Sequence, residues 1–161
     1  MTLLDAVRSH LAPRISQLLF LFLAPSASLL APGSAAGQSV DTTITIRATG
    51  STLEFIPPRI AVKTGTRVRI RFVNEGTLPH NVVLPRSEDD IDGLVQAAYA
   101  AQESGFVPLG QKAKLLGYTK LASPGETVEI TLTMPAPGEY TYICTFPGHA
   151  TSMFGTLRAL R

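Results

Sequence analysis

The amino-acid sequence predicts an all-β domain, a β-sandwich or barrel of about eight strands with one short helical insertion. Short runs of alternating polar and apolar residues recur along the chain, and turns rich in glycine and proline separate them. Apolar residues recur at helical spacing at one place between two of these runs. With 45% hydrophobic and 16% charged residues, the 161-residue chain can bury one proper core.

The N-terminal segment differs in composition from the rest of the chain. A polar stretch is followed by an apolar run from Ile15, which Pro25 breaks, and small residues then continue to Ala36. This order is typical of a secretory signal peptide. We therefore expect a signal peptide over 1–36, cleaved near Ala36, and an exported domain over 37–161 that is periplasmic or extracellular.

Retention of the apolar run is the alternative, and it would attach the domain to a membrane. A membrane-spanning helix needs about 20 mainly apolar residues, and Pro25 with its neighbouring serines interrupts this run. No cysteine lies near the run, which argues against the anchor of a bacterial lipoprotein. Membrane attachment is therefore expected only if residues 1–36 stay on the protein.

The charge balance argues against highly charged partners. The formal net charge is +2, and removal of Arg8, Arg14 and Asp5 with the leader leaves 12 basic and 11 acidic side chains. The basic residues form no continuous stripe, so the sequence does not indicate a nucleic-acid partner. We expect a near-neutral monomer with little electrostatic steering.

The strands are predicted from their alternating patterns. Val68, Ile70 and Phe72 share one face of a strand, and the three arginines between them share the other, which we interpret as a solvated sheet face. Two prolines divide an early strand into 53–55 and 60–62. The other extended segments lie at 42–48, 67–73, 80–84, 115–121, 127–133, 139–144 and 154–160.

The helical insertion follows the strand that ends at Pro85. Ser87 is a suitable N-cap, and the acidic residues after it favour a helix N-terminus. Apolar residues at positions 91, 94, 95 and 98 have helical spacing, and Gly105 is the expected end of the helix. Residues 106–112 are predicted to form a loop.

Three potential metal donors lie within ten residues near the C-terminus: Cys144, His149 and Met153. A disulfide within the chain is excluded because Cys144 is the only cysteine. His80 is the other histidine of the predicted mature domain. Two histidines, one cysteine and a weak methionine form the donor set of a blue-copper electron-transfer site, with copper cycling between Cu(I) and Cu(II). Met134 has no partner at useful spacing and is interpreted as core.

The local sequence suits a compact site. Cys144 ends a predicted strand and Met153 precedes another, and Pro147 with Gly148 can turn the chain so that His149 returns beside the cysteine. His80 begins a separate strand, so it must meet this loop through the packing of the sandwich. Taken singly, each residue has an ordinary structural interpretation: a buried apolar cysteine, a hydrogen-bonded histidine or a core methionine.

Other chemistries use the same residue types. Zinc accepts cysteine and histidine, but closed zinc sites generally use more thiolates and rarely methionine. A cysteine protease would pair Cys144 with a histidine oriented by a residue such as Asn81, but Met153 would have no role. A copper oxidase needs a second metal centre and further histidines. Four protein donors leave no position for a substrate, so we expect no enzyme.

The motif Cys144-Thr145-Phe146-Pro147-Gly148-His149-x-x-x-Met153, followed by Gly155-Thr156-Leu157, resembles the copper loop of azurin and auracyanin in the cupredoxin family. The segment Leu78-Pro79-His80-Asn81-Val82-Val83 is similar to plastocyanin. The resemblance covers about 41–160, and it also includes the helical insertion and Tyr118-Thr119-Lys120-Leu121.

The resemblance implies an eight-stranded Greek-key sandwich that holds one type 1 copper ion. It implies strong ligation by His80, Cys144 and His149, with Met153 as the axial ligand. Pro79 stands where azurin has a glycine whose carbonyl faces the metal, and the azurin disulfide and buried tryptophan are absent from this sequence. A contact from Asn81 to the Thr145 side of the copper loop is also implied.

The function expected from this family is transfer of single electrons between exported redox partners. A copper carrier or storage protein without a redox partner is the alternative. We expect His149 to be the exit route for electrons because its loop is short. Partner proteins are expected to dock on apolar residues that adjoin the expected ligands in sequence and surround this exit route, which are Leu78, Pro79, Pro147, Ala150 and Phe154.

Overall fold

The computed structural model describes residues 39–161, which form two β-sheets and one helical insertion. The predicted signal peptide lies outside the described residues. None of the helices within 39–161 is long and apolar enough to cross a membrane. The eight strands are β1 (Thr42–Gly50), β2 (Arg59–Lys63), β3 (Arg67–Gly76), β4 (Val83–Pro85), β5 (Leu115–Tyr118), β6 (Thr127–Thr133), β7 (Gly138–Ile143) and β8 (Phe154–Leu160).

The strand order is that of a Greek-key sandwich. One sheet has the order β1-β3-β6, with β1 parallel and β6 antiparallel to β3. The other has the order β2-β8-β7-β4-β5, in which β2 runs parallel to β8 and the remaining neighbours are antiparallel. The prediction of an all-β sandwich with about eight strands is confirmed.

Strand β3 follows its alternating pattern. Val68, Ile70 and Phe72 are buried in the core between the sheets. On the opposite face, Arg69 and Arg71 lie 3.5 and 3.8 Å from the carboxylate of Glu129 on β6. These pairs are largely exposed and contribute little to stability, so burial of the apolar face orients the strand.

The helical insertion packs on the outer face of the second sheet. A 3₁₀ turn over Glu88–Asp90, capped by the Ser87 side chain, leads into helix α1 over Ile91–Ala98. Two more 3₁₀ segments follow, Gln102–Ser104 and Leu109–Lys114. Buried apolar residues join the insertion to the sheet in a small second core: Val83, Leu94, Val107, Leu115 and Ile143.

The helix ends earlier than the sequence predicted. It stops at Ala98, and Gly105 instead ends the following 3₁₀ segment with a φ of 65°. The predicted loop over 106–112 is partly wrong, because 3₁₀ structure begins at Leu109. Apolar spacing located the helix correctly, but short 3₁₀ turns have no comparable sequence period.

Three predicted strands are shorter than expected or absent, and one of them, predicted over 115–121, ends at Tyr118. Phe55 is buried, but 53–55 forms no strand, and Ile56 makes only an isolated bridge with Arg47. The strand predicted over 80–84 begins only at Val83. The Thr119 hydroxyl accepts the Val82 N–H at 2.9 Å, so a side chain replaces the backbone partner that a regular ladder would use.

Candidate metal centre

Three potential ligands that are distant in sequence meet at one end of the sandwich. His80, Cys144 and His149 are all buried, and their ligand atoms lie within 4.8 Å of one another. The Cys144 Sγ lies 3.8 Å from His80 Nδ1 and 3.6 Å from His149 Nδ1. The two Nδ1 atoms are 3.2 Å apart. The structure thus brings one sulfur and two ring nitrogens to the corners of a small triangle.

This triangle has the right size for a metal ion. A point equidistant from corners 3.2, 3.6 and 3.8 Å apart lies about 2.1 Å from each, close to an ordinary metal–imidazole bond length. One thiol and two imidazoles suit copper or zinc better than calcium or magnesium, which prefer oxygen ligands. Among residues 39–161, this is the one group of three or more histidine, cysteine or acidic residues so arranged.

The loop between β7 and β8 holds two of these residues through its own backbone. The Cys144 N–H donates to the Met153 carbonyl at 3.0 Å, which closes the base of the loop. The His149 N–H donates to Phe146, and the Met153 N–H donates to His149. Gly148 has a φ of 82°, a left-handed conformation that favours glycine. This turn returns His149 to the cysteine.

His80 reaches the site from the neighbouring part of the same sheet. Its backbone forms an isolated antiparallel bridge with Ala122, and the chain then enters β4, which pairs with β7 at Val83 and Ile143. This pairing places the segment containing His80 next to the end of β7. Tertiary pairing of distant strands therefore brings the first histidine to the cysteine.

The two methionines of the described residues are both buried. Met153 is fully buried and belongs to the same core cluster as Cys144. Its backbone is fixed by the bonds to Cys144 and His149, so it lies beside the candidate ligands in the loop. Met134 lies in the main core, between β6 and β7 in sequence.

Asn81 connects the His80 segment to the loop. Its Oδ1 accepts the Thr145 N–H at 2.8 Å, and its Nδ2 donates to Thr145 Oγ1 and to the Gly105 carbonyl at 3.0 Å each. The structure thus contains the contact that the family resemblance implied. All the polar atoms of the Asn81 side chain are used in this way, so it does not orient an imidazole as a cysteine protease would require.

Burial keeps the site uncharged when no metal is bound. It raises the pKa of the Cys144 thiol to about 11, although N–H groups of Asn81 and Phe146 directed at the sulfur oppose the rise. Burial, together with the proximity of His149, lowers the pKa of His80 to about 4. Burial also lowers the pKa of His149. Two neutral imidazoles are therefore ready to bind, while a metal must displace the thiol proton.

Several supporting residues were not predicted from the sequence. Asn74 is buried, and its Nδ2 donates to the carbonyls of Leu78 and Ala122 at 2.8 and 2.9 Å, which fixes the loop before His80. Phe106 accepts a hydrogen bond from Thr145 Oγ1 at 2.7 Å. Asn74, Glu75 and Gly76 are residue types common in turns, but they belong to β3, and neither Asn74 nor Phe106 has a sequence signal of its role at the site.

Known proteins are similar to this chain in sequence. The family described as "Copper binding proteins, plastocyanin/azurin family" matches residues 40–159. Auracyanin-B of Chloroflexus aurantiacus is 39% identical over 119 residues, which are 71% of this chain and 51% of that protein. The chain therefore spans about half the length of auracyanin-B. Auracyanin-A of the same organism is 36% identical over 117 residues, covering 71% of this chain and 72% of auracyanin-A.

Solved structures agree with these relationships. The structure of auracyanin A, titled a "blue" copper protein from a green thermophilic photosynthetic bacterium, aligns with a TM-score of 0.69 at 36% identity and covers 73% of this chain and 98% of its own. Auracyanin B aligns with a TM-score of 0.72 at 34% identity, covering 77% and 92%. Given this match and a donor set that fits copper, the chain belongs to the plastocyanin/azurin family of copper-binding proteins, and its cofactor is copper.

Proposed function

We propose that this protein is a type 1 copper protein that carries single electrons between redox partners outside the cytoplasm. His80, Cys144 and His149 are the proposed strong ligands, and Met153 is the proposed axial ligand. The observation that carries the proposal is the convergence of the two Nδ1 atoms and the Cys144 sulfur within a buried triangle. The family relationship supports copper rather than zinc as the ion.

Copper, when bound, supplies a reversible one-electron change between Cu(I) and Cu(II). The protein's part is to keep its donor atoms still during that change. His80 is fixed by backbone bonds to Ala122, and the Cys144 and Met153 backbones are bonded to each other. The link from Asn81 to Thr145 joins these two regions. A framework held from both sides needs little rearrangement when an electron arrives, which favours rapid transfer.

The proposed ligand set leaves no place for a substrate. Three strong donors surround the centre of the triangle, and Met153 supplies the fourth. Tight burial of His80, Cys144 and Met153 also limits access of water. This arrangement supports a carrier of electrons and not an enzyme, which would need an open coordination position.

We place the path of electrons to a partner at His149. Its side chain is buried but lies in a short loop whose Gly148 is exposed and whose Pro147 and Ala150 are half-buried. Leu78 and Phe154 are large apolar residues that are 41% and 54% exposed. Together with Pro79, these residues form the proposed docking patch: Leu78, Pro79, Pro147, Ala150 and Phe154. Small apolar interfaces suit brief redox encounters.

Export remains part of the proposal. Residues 1–36 are the proposed signal peptide, with cleavage near Ala36 and a mature domain over 37–161 in the periplasm or outside the cell. The order of the polar stretch, the apolar run and the small residues in the sequence supports this proposal. N-terminal sequencing of protein isolated from its native host tests the cleavage site.

The function is tested by loading the exported protein with one equivalent of Cu(II). We expect an intense blue thiolate-to-copper band, a type 1 EPR spectrum and many cycles of reduction and oxidation without loss of metal. A protein that stores or carries copper without a redox partner would instead release the metal to a chelator on each reduction. Absence of the blue band from a folded, copper-loaded protein would contradict the proposal.

A further inference from the structure

The helical insertion ends in a turn with an uncommon backbone conformation. Gly105 and Phe106 are consecutive residues in the left-handed region, with φ values of 65° and 62°. Glycine is required at the first position, because a Cβ there would lie 2.9 Å from the Leu121 Cβ. Phe106 has no such freedom, and a bulky residue in this region is uncommon and strained. The surrounding structure must therefore hold it in place.

Hydrogen bonds within the insertion hold this turn. The Phe106 N–H donates to the Ala101 carbonyl at 2.8 Å, and the Gly105 N–H donates to Gln102 at 3.0 Å. The Ser104 hydroxyl lies 2.6 Å from the Val107 carbonyl. The insertion thus fixes the backbone on both sides of Phe106 by its own hydrogen bonds. Further contacts reach the metal loop, which is the segment 144–153 between β7 and β8.

The same turn directs one carbonyl at the His80 segment and another at the metal loop. The Gly105 carbonyl accepts a hydrogen bond from Asn81 Nδ2 at 3.0 Å, and the Phe106 carbonyl accepts one from Thr145 Oγ1 at 2.7 Å. Asn81 and Thr145 directly follow His80 and Cys144 in the sequence. The strained turn thus supplies acceptors for the residues next to two proposed ligands.

The Phe106 ring makes a second connection. Its centroid lies 5.0 Å from that of Phe146 in an edge-to-face arrangement at 71°. The Phe146 ring in turn lies 4.7 Å from the imidazole of His149. This stack of three rings runs from the insertion to the histidine that we place on the path of electrons. Such ring pairs stabilise one relative orientation.

We propose that Phe106 is a positioning residue for the metal loop, through its carbonyl on Thr145 and its ring on the Phe146–His149 pair. This inference rests on the proposed function for its redox consequence, but its structural part concerns the protein without metal. The insertion then has a role beyond covering the second sheet, because it restricts the orientation of His149. Phe106 contacts none of the reacting atoms and acts through Thr145 and Phe146.

Amide hydrogen exchange in the metal-free protein tests the structural part. Phe106→Leu removes the ring but keeps the backbone carbonyl, and Phe106→Tyr keeps the ring. Tyr99→Leu is the matched control, since Tyr99 is an aromatic residue of the same insertion that is 52% exposed. We expect Phe106→Leu to accelerate exchange of the Thr145 and His149 amides about threefold to tenfold, the weight of one ring pair.

The other expected results separate positioning from general destabilisation. Amides of the core strand at Ile70 and Phe72 should keep their exchange rates in Phe106→Leu, and the Tyr variant and Tyr99→Leu should match the parent. Uniform acceleration that includes Ile70, or no acceleration at His149, would overturn the proposal. If Phe106→Leu does not fold, Phe146→Leu breaks the same stack at its other link and gives the same expected pattern.

The copper-loaded protein provides the second readout. We expect Phe106→Leu to stay blue but to shift its reduction potential and EPR hyperfine splitting, and Phe106→Tyr to restore both. If the parent is blue but Phe106→Leu and Tyr99→Leu have the same reduction potential and the same hyperfine splitting, the positioning role is overturned while the proposed function stands. A parent that never turns blue would instead overturn the proposed function, while the exchange experiment on metal-free protein would still decide the positioning role.

Discussion

Asn81 and Thr145 lie 64 positions apart in the chain, yet the amide of one and the backbone and hydroxyl of the other form reciprocal hydrogen bonds. Both residues are buried. Each directly follows a proposed ligand, so this pair couples the positions of His80 and Cys144 before a metal is present. Removing one partner leaves the other with unsatisfied polar atoms in a dry environment.

Asn81→Ala should therefore destabilise the metal-free protein. We expect a loss of about 2 kcal/mol in the free energy of unfolding, because the buried Thr145 N–H loses its acceptor. Urea unfolding of metal-free protein measures it. In a double-mutant cycle with Thr145→Val, the combined loss should be smaller than the sum of the two single losses, and strict additivity would contradict the coupling.

Cys144→Ser should abolish the intense blue band of the copper-loaded protein. The band requires a thiolate bound to copper, and a hydroxyl does not replace the sulfur as a donor for that transition. Optical absorption after addition of one equivalent of Cu(II) measures the effect. A folded serine variant that remains blue would show that Cys144 is not a ligand.

Met153→Leu should keep the copper but change the reduction potential, because the axial ligand tunes blue-copper sites. Cyclic voltammetry of the loaded protein measures the potential. Met134→Leu is the matched control, since Met134 is a buried methionine in the same core cluster that we place outside the site. Equal potentials in the two variants would argue against an axial role for Met153.

Metal-free protein should lose stability as the pH falls from about 6.5 to about 4. Burial lowers the pKa of His80 in the folded state to about 4, so the unfolded state binds more protons within this window. The contribution of neutral His80 to the free energy of unfolding is fully present above the pKa of histidine in the unfolded state. It decreases on acidification, by roughly 2 kcal/mol between pH 7 and pH 5. Urea unfolding at these two values measures the loss.

The control for this pH dependence is His80→Gln, which removes the titrating imidazole and keeps a polar side chain of similar reach. We expect the difference in unfolding free energy between pH 7 and pH 5 to shrink in this variant. If the variant retains the full pH dependence of the parent, His80 is not the group responsible.

We expect a charge introduced into the proposed docking patch to slow electron exchange between two copies of the protein. Leu78→Asp should reduce self-exchange about tenfold, because a buried carboxylate is costly in an apolar contact. NMR line broadening in mixtures of oxidised and reduced protein measures the rate. The copper spectrum should not change.

Thr131→Asp is the matched control for this charge, because Thr131 is an exposed residue of β6 in the other sheet. It changes the net charge by the same amount and should leave self-exchange nearly unchanged. Equal rates for Leu78→Asp, Thr131→Asp and the parent would remove the patch from the mechanism.

The local sequence was sufficient to predict the loop that carries most of the site. Donors at Cys144, His149 and Met153 with a proline–glycine turn between them can only be arranged closely, since neighbouring strands fix both ends of a short loop. Alternation along β3 likewise predicted the buried face, because side chains in a strand alternate between its two faces. The donor set itself indicated copper, and the family motif agreed with it.

Other features depended on residues far away in the chain. The Thr119 hydroxyl takes the place of a backbone acceptor for the Val82 N–H, so β4 begins later than predicted. No local sequence pattern indicates such a replacement. The left-handed conformation of Phe106 is equally invisible in the sequence, because its own residue type disfavours it and the contacts of the turn impose it.

The sequence by itself determined the sandwich class, the helical insertion and the compact loop of donors, because periodicity and turn residues act over short stretches of chain. Only the tertiary structure decided that His80 reaches Cys144, through the bridge to Ala122 and the pairing of β4 with β7. It also decided that the insertion contacts the loop through Phe106. Both results depend on long-range packing, which buries donors from separate segments in one place.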